Sequence, residues 1–596
     1  MRIETIVAGA VSRFFKENGL PKPDPSLVQI QKTRKEFRGD ITLVVFPLIR
    51  LMKKSPAEAG EELGNYLRQL PQIQDFNVIK GFLNLVVEYS YWTGFVSEAA
   101  ADEKYGISEK TGESETVLVE FSSPNTNKPL HLGHIRNNLL GCSISLILEA
   151  TGKNVKKVNL VNDRGIHICK TMLAWVKWGE NRTPAEAGKK GDHFVGDMYV
   201  LFETEYRKEV DELVAGGMSR DRAMIEAPLM AEAREMLRKW EAGDPGVCGL
   251  WEKMNGWVYE GFDVTYKRLG VSFDKIYYES DTYHTGKKIV EEGLDKGKLN
   301  RREDGSVWAD LRERGLDEKL LLRSDGTSVY MTQDLGTAVI RQKEFNAGTM
   351  YYVVGNEQDY HFKVLSLILD ELGYEWAGSL HHISYGMVEL PSGKMKSREG
   401  KVVDADNLID QMIETAGRLS AELGKLEGLS EDEKEEIVRK IGMGALKYFI
   451  LKVDPKKNMI FNPEESIDFN GNTGPFIQYT HARICSLLKK AEEQGIKPAP
   501  GNDLNITLTD KEVRVITLLH EFPGILSEAG RNCSPALIAN LVYDLAKEYN
   551  QFYHDHPVIR EADPGVRKFR LMVSLLAGNV IKTGMGLLGI DVPDKM

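Results

Sequence analysis

The chain has 596 residues, 42% of them hydrophobic and 28% charged, with a net charge of −11. That length exceeds what one hydrophobic core supports, so three or four domains are expected; the composition is that of a soluble globular protein, and the acidic balance argues weakly against a nucleic-acid partner. The five cysteines (Cys142, Cys169, Cys248, Cys485, Cys533) form no C-x-x-C pair, which speaks against a zinc site or a disulfide framework and for a reducing, cytoplasmic setting.

Residues 1–110 mix helical and strand-like runs and end in a polar stretch, Ala101 to Ser114, that reads as a linker. The start, Met1-Arg2-Ile3-Glu4, has no signal-peptide pattern, and the longest apolar run, Ile41 to Ile49, is too short to span a bilayer. Residues 1–90 hold 13 Lys+Arg against 10 Asp+Glu, and residues 456–596 hold 16 against 17, so the acidity lies in the middle. The cluster Lys32, Arg34, Lys35 and Arg38 fits an RNA-facing patch as well as an ordinary solvated face.

From Glu115 the pattern alternates. Val117–Phe121 predicts a strand, Ile135–Ala150 a helix and Val155–Val161 a second strand, a βαβ unit that implies a parallel sheet. Neither GxGxxG nor a P-loop is present, which excludes those nucleotide sites. A charged helical pattern over 185–255 opens an insertion of about 185–330, with Asp244-Pro245-Gly246 as a turn within it. Sheet-like runs resume at Met350–Val354 and His382–Val388. Beyond Asp404 the period is helical: 406–455 reads as a connecting segment and 456–596 as a helical domain.

Two loops carry the chemistry. Ser122-Ser123-Pro124-Asn125-Thr126-Asn127-Lys128-Pro129-Leu130-His131-Leu132-Gly133-His134 joins the first strand to its helix. A helix start offers free N–H groups and the positive end of a dipole, two histidines three apart can donate to phosphate oxygens, and Gly133 leaves room for a flat base. Read alone, the histidines could equally be a satisfied cap. About 260 residues later, Gly393-Lys394-Met395-Lys396-Ser397-Arg398-Glu399-Gly400-Lys401 follows the run that ends at Val388. Alone it is a solvated turn; paired with the first loop it is a phosphate-binding loop.

These loops resemble the two signatures, HIGH and KMSKS, of class I aminoacyl-tRNA synthetases. The wording around them is similar to the arginyl branch: Glu120 to Asn125, Ser324 to Asp334, Gly355 to His361, Asn472 to Arg483, and the closing Leu587 to Pro593. The resemblance runs from before residue 120 to the C-terminus. It implies an α/β fold: a Rossmann-like doubly wound parallel sheet in a catalytic domain (111–405), an α+β N-terminal domain (1–110) that contacts tRNA, and an all-α anticodon-binding domain (456–596).

The implied reaction is ATP-dependent formation of arginyl-adenylate and transfer of arginine to the 3′-terminal adenosine of its tRNA. Mg²⁺ would travel with ATP, no zinc or tightly bound cofactor is implied, and the family default is a monomer. His131, Gly133, His134 and Lys396 would hold ATP. Lys128, His131, His134, Lys394, Lys396 and Arg398 would serve the reaction. Glu120, Asn125, Tyr330, Asp334 and Gln358 would hold arginine, with Glu120, Tyr330 and Asp334 on the guanidinium. In the usual KMSKS pattern the fourth place is lysine; here it is Ser397, and Lys128 stands where a compensating lysine is found. Without the resemblance, Glu120 is a polar strand end, Asp334 a cap or surface acid, and Lys128 an exposed loop lysine. Aromatics in Ala539–Tyr553 could stack on bases, or, at helical spacing, be core. A cysteinyl-type synthetase would need a zinc site that the cysteine spacing does not support. An inactive RNA-binding relative would not need both loops and both acids.

Overall fold

In this computed structural model, residues 2–34, 36–389, 391, 403–424, 427–498 and 506–596 are described. Lys35 and the second loop, with Lys394, Lys396, Ser397, Arg398 and Lys401, lie outside the described residues.

Five parallel strands form the centre of the molecule. In spatial order they are Leu380–Tyr385, Thr349–Gly355, Thr116–Glu120, Asn154–Val161 and Lys275–Tyr278. Glu120 pairs with Tyr352 on one side and Val158 on the other. The chain runs outward from Thr116–Glu120 in one direction and later returns to its other side, so the order reverses at that strand. Ligands of open α/β sheets bind outside the carboxyl ends at such a reversal.

Alternation along the strands explains why both faces are covered. Val117, Val119, Phe121, Val155 and Val353 enter one apolar cluster with the helix Leu132–Ala150. Leu118, Val158, Leu160, Met350 and Tyr352 enter another on the opposite side.

The insertion differs from its expected span of 185–330. Lys275–Tyr278 lies inside that span yet pairs in the main sheet through Val158–Val161. The interruption is therefore two segments. One is helical (Gly191–Ala215, Arg220–Glu226, Pro228–Glu241, Pro245–Leu269), and the other holds a small antiparallel sheet of Asn300–Arg301, Val307–Ala309 and Lys319–Leu322. Asp244-Pro245-Gly246 begins a helix: the Asp244 carboxylate accepts from the N–H groups of Gly246 and Val247, and Pro245 takes the first helical position, where no N–H is needed.

The N-terminal domain is an antiparallel sheet in the order Gln29–Lys32, Ile41–Val44, Phe82–Val87, Ile73–Ile79, backed by helices Ile3–Glu17 and Pro56–Leu67. Its basic cluster is partly engaged, with Lys32 paired to Glu521, Arg38 to Asp75, and Arg34 over the Phe82 ring. The linker is held to its neighbours: Ser108 N–H donates to Ala150 and the Tyr105 hydroxyl to Leu519.

The boundary expected at 456 crosses a joint. Val388–Glu389 pairs in parallel with Met459–Ile460, and Arg136 donates to the Pro455 and Lys457 carbonyls, so residues 455–461 belong with the catalytic body. The helices Gly474–Glu493, Asp510–Asn532, Pro535–Asp555 and Pro564–Leu587 form the C-terminal domain. In its aromatic stretch Tyr549 and Phe552 are core, while Tyr553 is 37% exposed beside Arg483. Among the described residues no helix is long and apolar enough to cross a membrane.

Candidate active site

The first loop leaves the sheet through two strained residues. Ser122 and Ser123 have φ of 78° and 46°, a region that side chains other than glycine adopt at a cost. Asparagines hold them there: Asn137 accepts from the Ser122 N–H at 2.5 Å and Asn159 from the Ser123 N–H at 3.0 Å, while the Ser122 and Tyr266 hydroxyls meet at 2.7 Å. Asn125 then bridges to Asn162, which turns the chain across the carboxyl end of the neighbouring strand.

His131 caps the helix that follows. Its Nδ1 accepts from the Gly133 N–H at 3.1 Å, and the His134 Nδ1 accepts from the His131 N–H at 3.2 Å. Both Nδ1 atoms are thus acceptors, so in the neutral rings Nε2 carries the proton and is the free donor. Burial, with the Lys128 charge adding to it and Asp404 opposing it, pushes His131 down to about 4. Burial also drives His134 well below its ordinary value, with His131 and Lys128 adding to it. The histidines present neutral donors, not cations. Gly133 also has a reason of its own: a Cβ there would lie 3.0 Å from the His131 ring that folds back over it.

The far stem of the second loop joins this cap through the backbone. Leu132 N–H donates to Val403 and Ala405 N–H to Leu130, both at 3.0 Å, with His131 paired opposite Asp404. The near stem is held by Arg136, which is buried on the same helix and donates to the carbonyls of Met387 at 2.9 Å, Pro455 at 3.1 Å and Lys457 at 2.8 Å. The described segments on either side of the second loop, at Met387 and at Val403–Ala405, therefore both bond to the first loop or its helix. Beside them lies a cavity of about 380 Å³, lined by Asn125, Lys128, His131, His167, Tyr199 and Asp404 among others. Burial holds the Lys128 ammonium below its ordinary value.

His193, on the first insertion helix, lies 3.1 Å from Asp404 and 3.5 Å from Asp406, and these carboxylates raise it to about 10, so it is protonated at neutral pH. Asp192, His193 and Asp406 have metal-ligand spacing, but Lys190 reaches both acids and Arg268 pairs with Asp406, so cations of the chain fill that place. His481, Cys485 and Asp594 form the other such group among the described residues; there the His481 Nδ1 faces the Pro593 carbonyl.

The residues expected around arginine sit at the carboxyl end of the sheet. Tyr330 and Asp334 lie one turn apart on the helix Tyr330–Phe345. Tyr330 is 74% exposed, and Asp334 meets His361 Nε2 at 2.5 Å. Gln358 is exposed in the turn that follows Thr349–Gly355. Glu120, expected on the guanidinium, has a resident partner within the chain. It is 5% exposed, accepts from the Ser123 hydroxyl at 2.9 Å and is ion-paired to Arg341, which is 1% exposed between the Tyr277 and Tyr352 rings. A carboxylate buried this deeply needs a resident cation, and Arg341 supplies it.

Sequence reasoning missed Arg136, Asn137, Asn159 and Arg341. The polar run Arg136-Asn137-Asn138 on a helix otherwise destined for the core was the one visible signal, and it covered only the first two. It also missed two acids after neighbouring strands. Asp163 accepts from the Ser280 N–H at 2.9 Å, the Ser280 hydroxyl at 2.7 Å and the Tyr259 hydroxyl at 3.0 Å. Glu279 is buried and raised to about 7, by burial first and then by the Asp163 and Asp334 charges against the pull of Arg164.

A reversing parallel sheet, a histidine-capped helix at its carboxyl edge and a second loop stitched to that cap define the nucleotide site of a class I synthetase. The family described as "tRNA synthetases class I (R), catalytic domain" matches residues 96–463, flanked by an arginyl tRNA synthetase N terminal domain at 1–87 and a DALR anticodon binding domain at 477–596. Proteins named arginine–tRNA ligase from Parabacteroides distasonis (58% identical over 597 residues) and Bacteroides fragilis strain YCH46 (59% over 598) match over 100% of both chains. The arginyl-tRNA synthetase of Thermus thermophilus shares the fold (TM-score 0.80, 24% identity, 100% of each chain), as does that of Plasmodium falciparum (0.77, 20%, 100% of this chain and 98% of that one). The chain belongs to the arginyl-tRNA synthetase family of class I tRNA synthetases.

Proposed function

We propose that the chain activates L-arginine with ATP and transfers it to the 3′-terminal adenosine of tRNA(Arg). The observation that carries this reading is the junction of the two signature stems on one histidine-capped helix start. In the first step an arginine carboxylate oxygen attacks the α-phosphorus of ATP and pyrophosphate leaves. In the second the 2′-hydroxyl of the terminal adenosine attacks the carbonyl carbon and AMP leaves. No nucleophile from the chain is needed; positioning and charge stabilisation carry both steps.

The Nε2–H groups of His131 and His134 and the amides of the helix start face the phosphates as neutral donors, which cost no counter-charge when the site is empty. Lys128 supplies a cation from the same cavity, and Lys394, Lys396 and Arg398 supply others from the second loop. Mg²⁺ arrives with ATP, held mainly by phosphate oxygens and water. Asp334, with Tyr330 one turn before it, accepts from the guanidinium fork, and Glu279 adds acidity beside it. Asn125 and Gln358 hold the α-amino and carboxylate end. Glu120, neutralised by Arg341, shapes the pocket wall. Lysine is rejected because a point ammonium cannot satisfy acceptors spaced for a planar fork. The chain acts as a cytoplasmic monomer.

Pyrophosphate exchange with each of the twenty amino acids, with and without tRNA(Arg), tests the reading. Exchange is expected with arginine alone and only when tRNA is present. Exchange driven by another amino acid refutes the substrate, and robust exchange without RNA refutes the requirement for tRNA.

A further inference from the structure

A second pocket, about 60 Å³, lies away from the active site where three parts of the chain meet. The end of the helix Pro245–Leu269 brings Lys267 and Arg268, the helix Glu431–Leu451 brings Arg439, Lys440 and Lys447, and the closing segment brings Asp591. Five cations and one acid line a space the size of a single tetrahedral anion. Lys267, Arg268 and Lys440 each pair with a carboxylate from outside the pocket lining. Lys447 and Arg439 pair with none among the described residues. Lys447 is 8% exposed and donates to the Gly589 carbonyl.

Two glycines flank that ammonium. Gly270 and Gly589 have φ of 68° and 66°, and a Cβ at either would stand 3.4 Å and 3.8 Å from the Lys447 Nζ. Burial, with the nearby Arg439 charge adding to it, lowers the Lys447 ammonium from its ordinary value. Lys447 and Arg439, the two lining cations without an acidic partner among the described residues, thus share a confined space on a chain that is acidic as a whole, an arrangement suited to an anion.

We propose that this pocket seats one backbone phosphate of the bound tRNA, at the seam between the catalytic body and the C-terminal helices. The proposal rests on the tRNA-charging reading. RNA is the favoured source because the seam joins the two parts of the chain that must engage one RNA together, and a phosphodiester there couples them. A free phosphate offers the same chemistry, so the test separates the two.

Lys267 and Arg439 are exposed and belong to no part of the active site, so their replacement leaves the fold intact. Binding of tRNA(Arg) to the full chain is measured against salt for the wild type, Lys267→Ala, Arg439→Ala and Arg439→Glu, alongside the Michaelis constants for arginine and ATP. The proposal expects affinity to fall roughly tenfold for Arg439→Ala and further for Arg439→Glu. The slope of log affinity against log salt should become shallower by about one for each cation taken off the phosphate, with both Michaelis constants unchanged. In parallel, inorganic phosphate is titrated while the thermal midpoint is followed. Phosphate that stabilises the wild type but not Arg439→Glu, with tRNA affinity unchanged in every variant, overturns the RNA source in favour of a free anion. Variants that match the wild type in both assays overturn the site. A wild type that binds no tRNA(Arg) fails the functional reading itself, and the inference with it.

Discussion

The buried pair of Glu120 and Arg341 gives the sharpest test of how the site is built. The Arg341 side chain is 1% exposed and that of Glu120 7%, and two of the guanidinium nitrogens, Nε and Nη2, have no hydrogen-bond partner among the described residues. Such a pair contributes little net stability over apolar side chains of the same volume, but removing one partner strands a charge, at a cost of about 3–5 kcal/mol. The matched catalytic unit spans residues 96–463. At ~2.1 cal/mol/K per residue its unfolding entropy is roughly 0.8 kcal/mol/K, so a loss of ~4 kcal/mol lowers its midpoint by about 5 °C. Arg341→Met and Glu120→Gln should each show that drop, and the double variant should lose far less than their sum, because neither charge is then left alone. Differential scanning calorimetry of the four proteins measures it. Additive losses, or single variants that melt with the wild type, would refute the claim that Arg341 neutralises Glu120.

Other consequences concern the substrates. Asp334→Asn should weaken arginine on the order of 30-fold or more, with the ATP Michaelis constant little changed, since it removes a charged acceptor from the guanidinium; steady-state kinetics with both substrates checks this, and a normal arginine constant would move the pocket elsewhere. Lys128→Ala should lower turnover roughly 100-fold with arginine affinity kept, as for a cation acting mainly on transition-state charge, and Ser397→Lys should recover part of the loss; near-normal turnover would return the role to Lys394, Lys396 or Arg398. His131 adds a pH dependence. Its value falls from the ordinary 6.5 to about 4 in the folded chain. The unfolded chain therefore binds the proton first, and stability is full above pH 6.5 and falls by about 3 kcal/mol as pH drops to 4. His131→Asn keeps a capping acceptor but cannot titrate, so its melting profile should be flatter than that of the wild type over that range; parallel profiles would contradict the assignment.

What could be read from the residues alone follows physical range. The central strand showed itself because Val117 and Val119 alternate with Leu118 to fill two cores, and the first helix because a cap and an apolar stripe are local signals. The edge strand Lys275–Tyr278 did not. It is four residues long, Ile276 is 39% exposed, and it sits between long helices, so its pairing with Asn154–Val161 is visible only in three dimensions. Asp244-Pro245-Gly246 has the composition of a turn and of a helix start, and only the bonds to Gly246 and Val247 decide between them. Within the site, residue types were legible and their engagements were not. Glu120 meets a partner 221 positions away, and nothing near either residue announces the other.

The manner in which the segments flanking the second loop are anchored bears on why that loop can vary. Leu130 and Leu132 hold Val403 and Ala405 by main-chain bonds, and Arg136 holds Met387, Pro455 and Lys457 by their carbonyls. Every one of these bonds is made, on the second-loop side, by backbone atoms. The anchoring of both stems is therefore indifferent to which side chains the loop carries between them. A lysine can be absent from the loop's fourth place without disturbing the scaffold, provided that a cation reaches the same phosphates from elsewhere. Lys128 lies three residues before His131, on the same cavity, in a segment fixed at one end by the Asn125–Asn162 bridge and at the other by the His131 cap. In the proposed role, a lysine held at both ends in this way has less freedom to lose on binding, and its burial has already removed part of the water that a phosphate would have to displace.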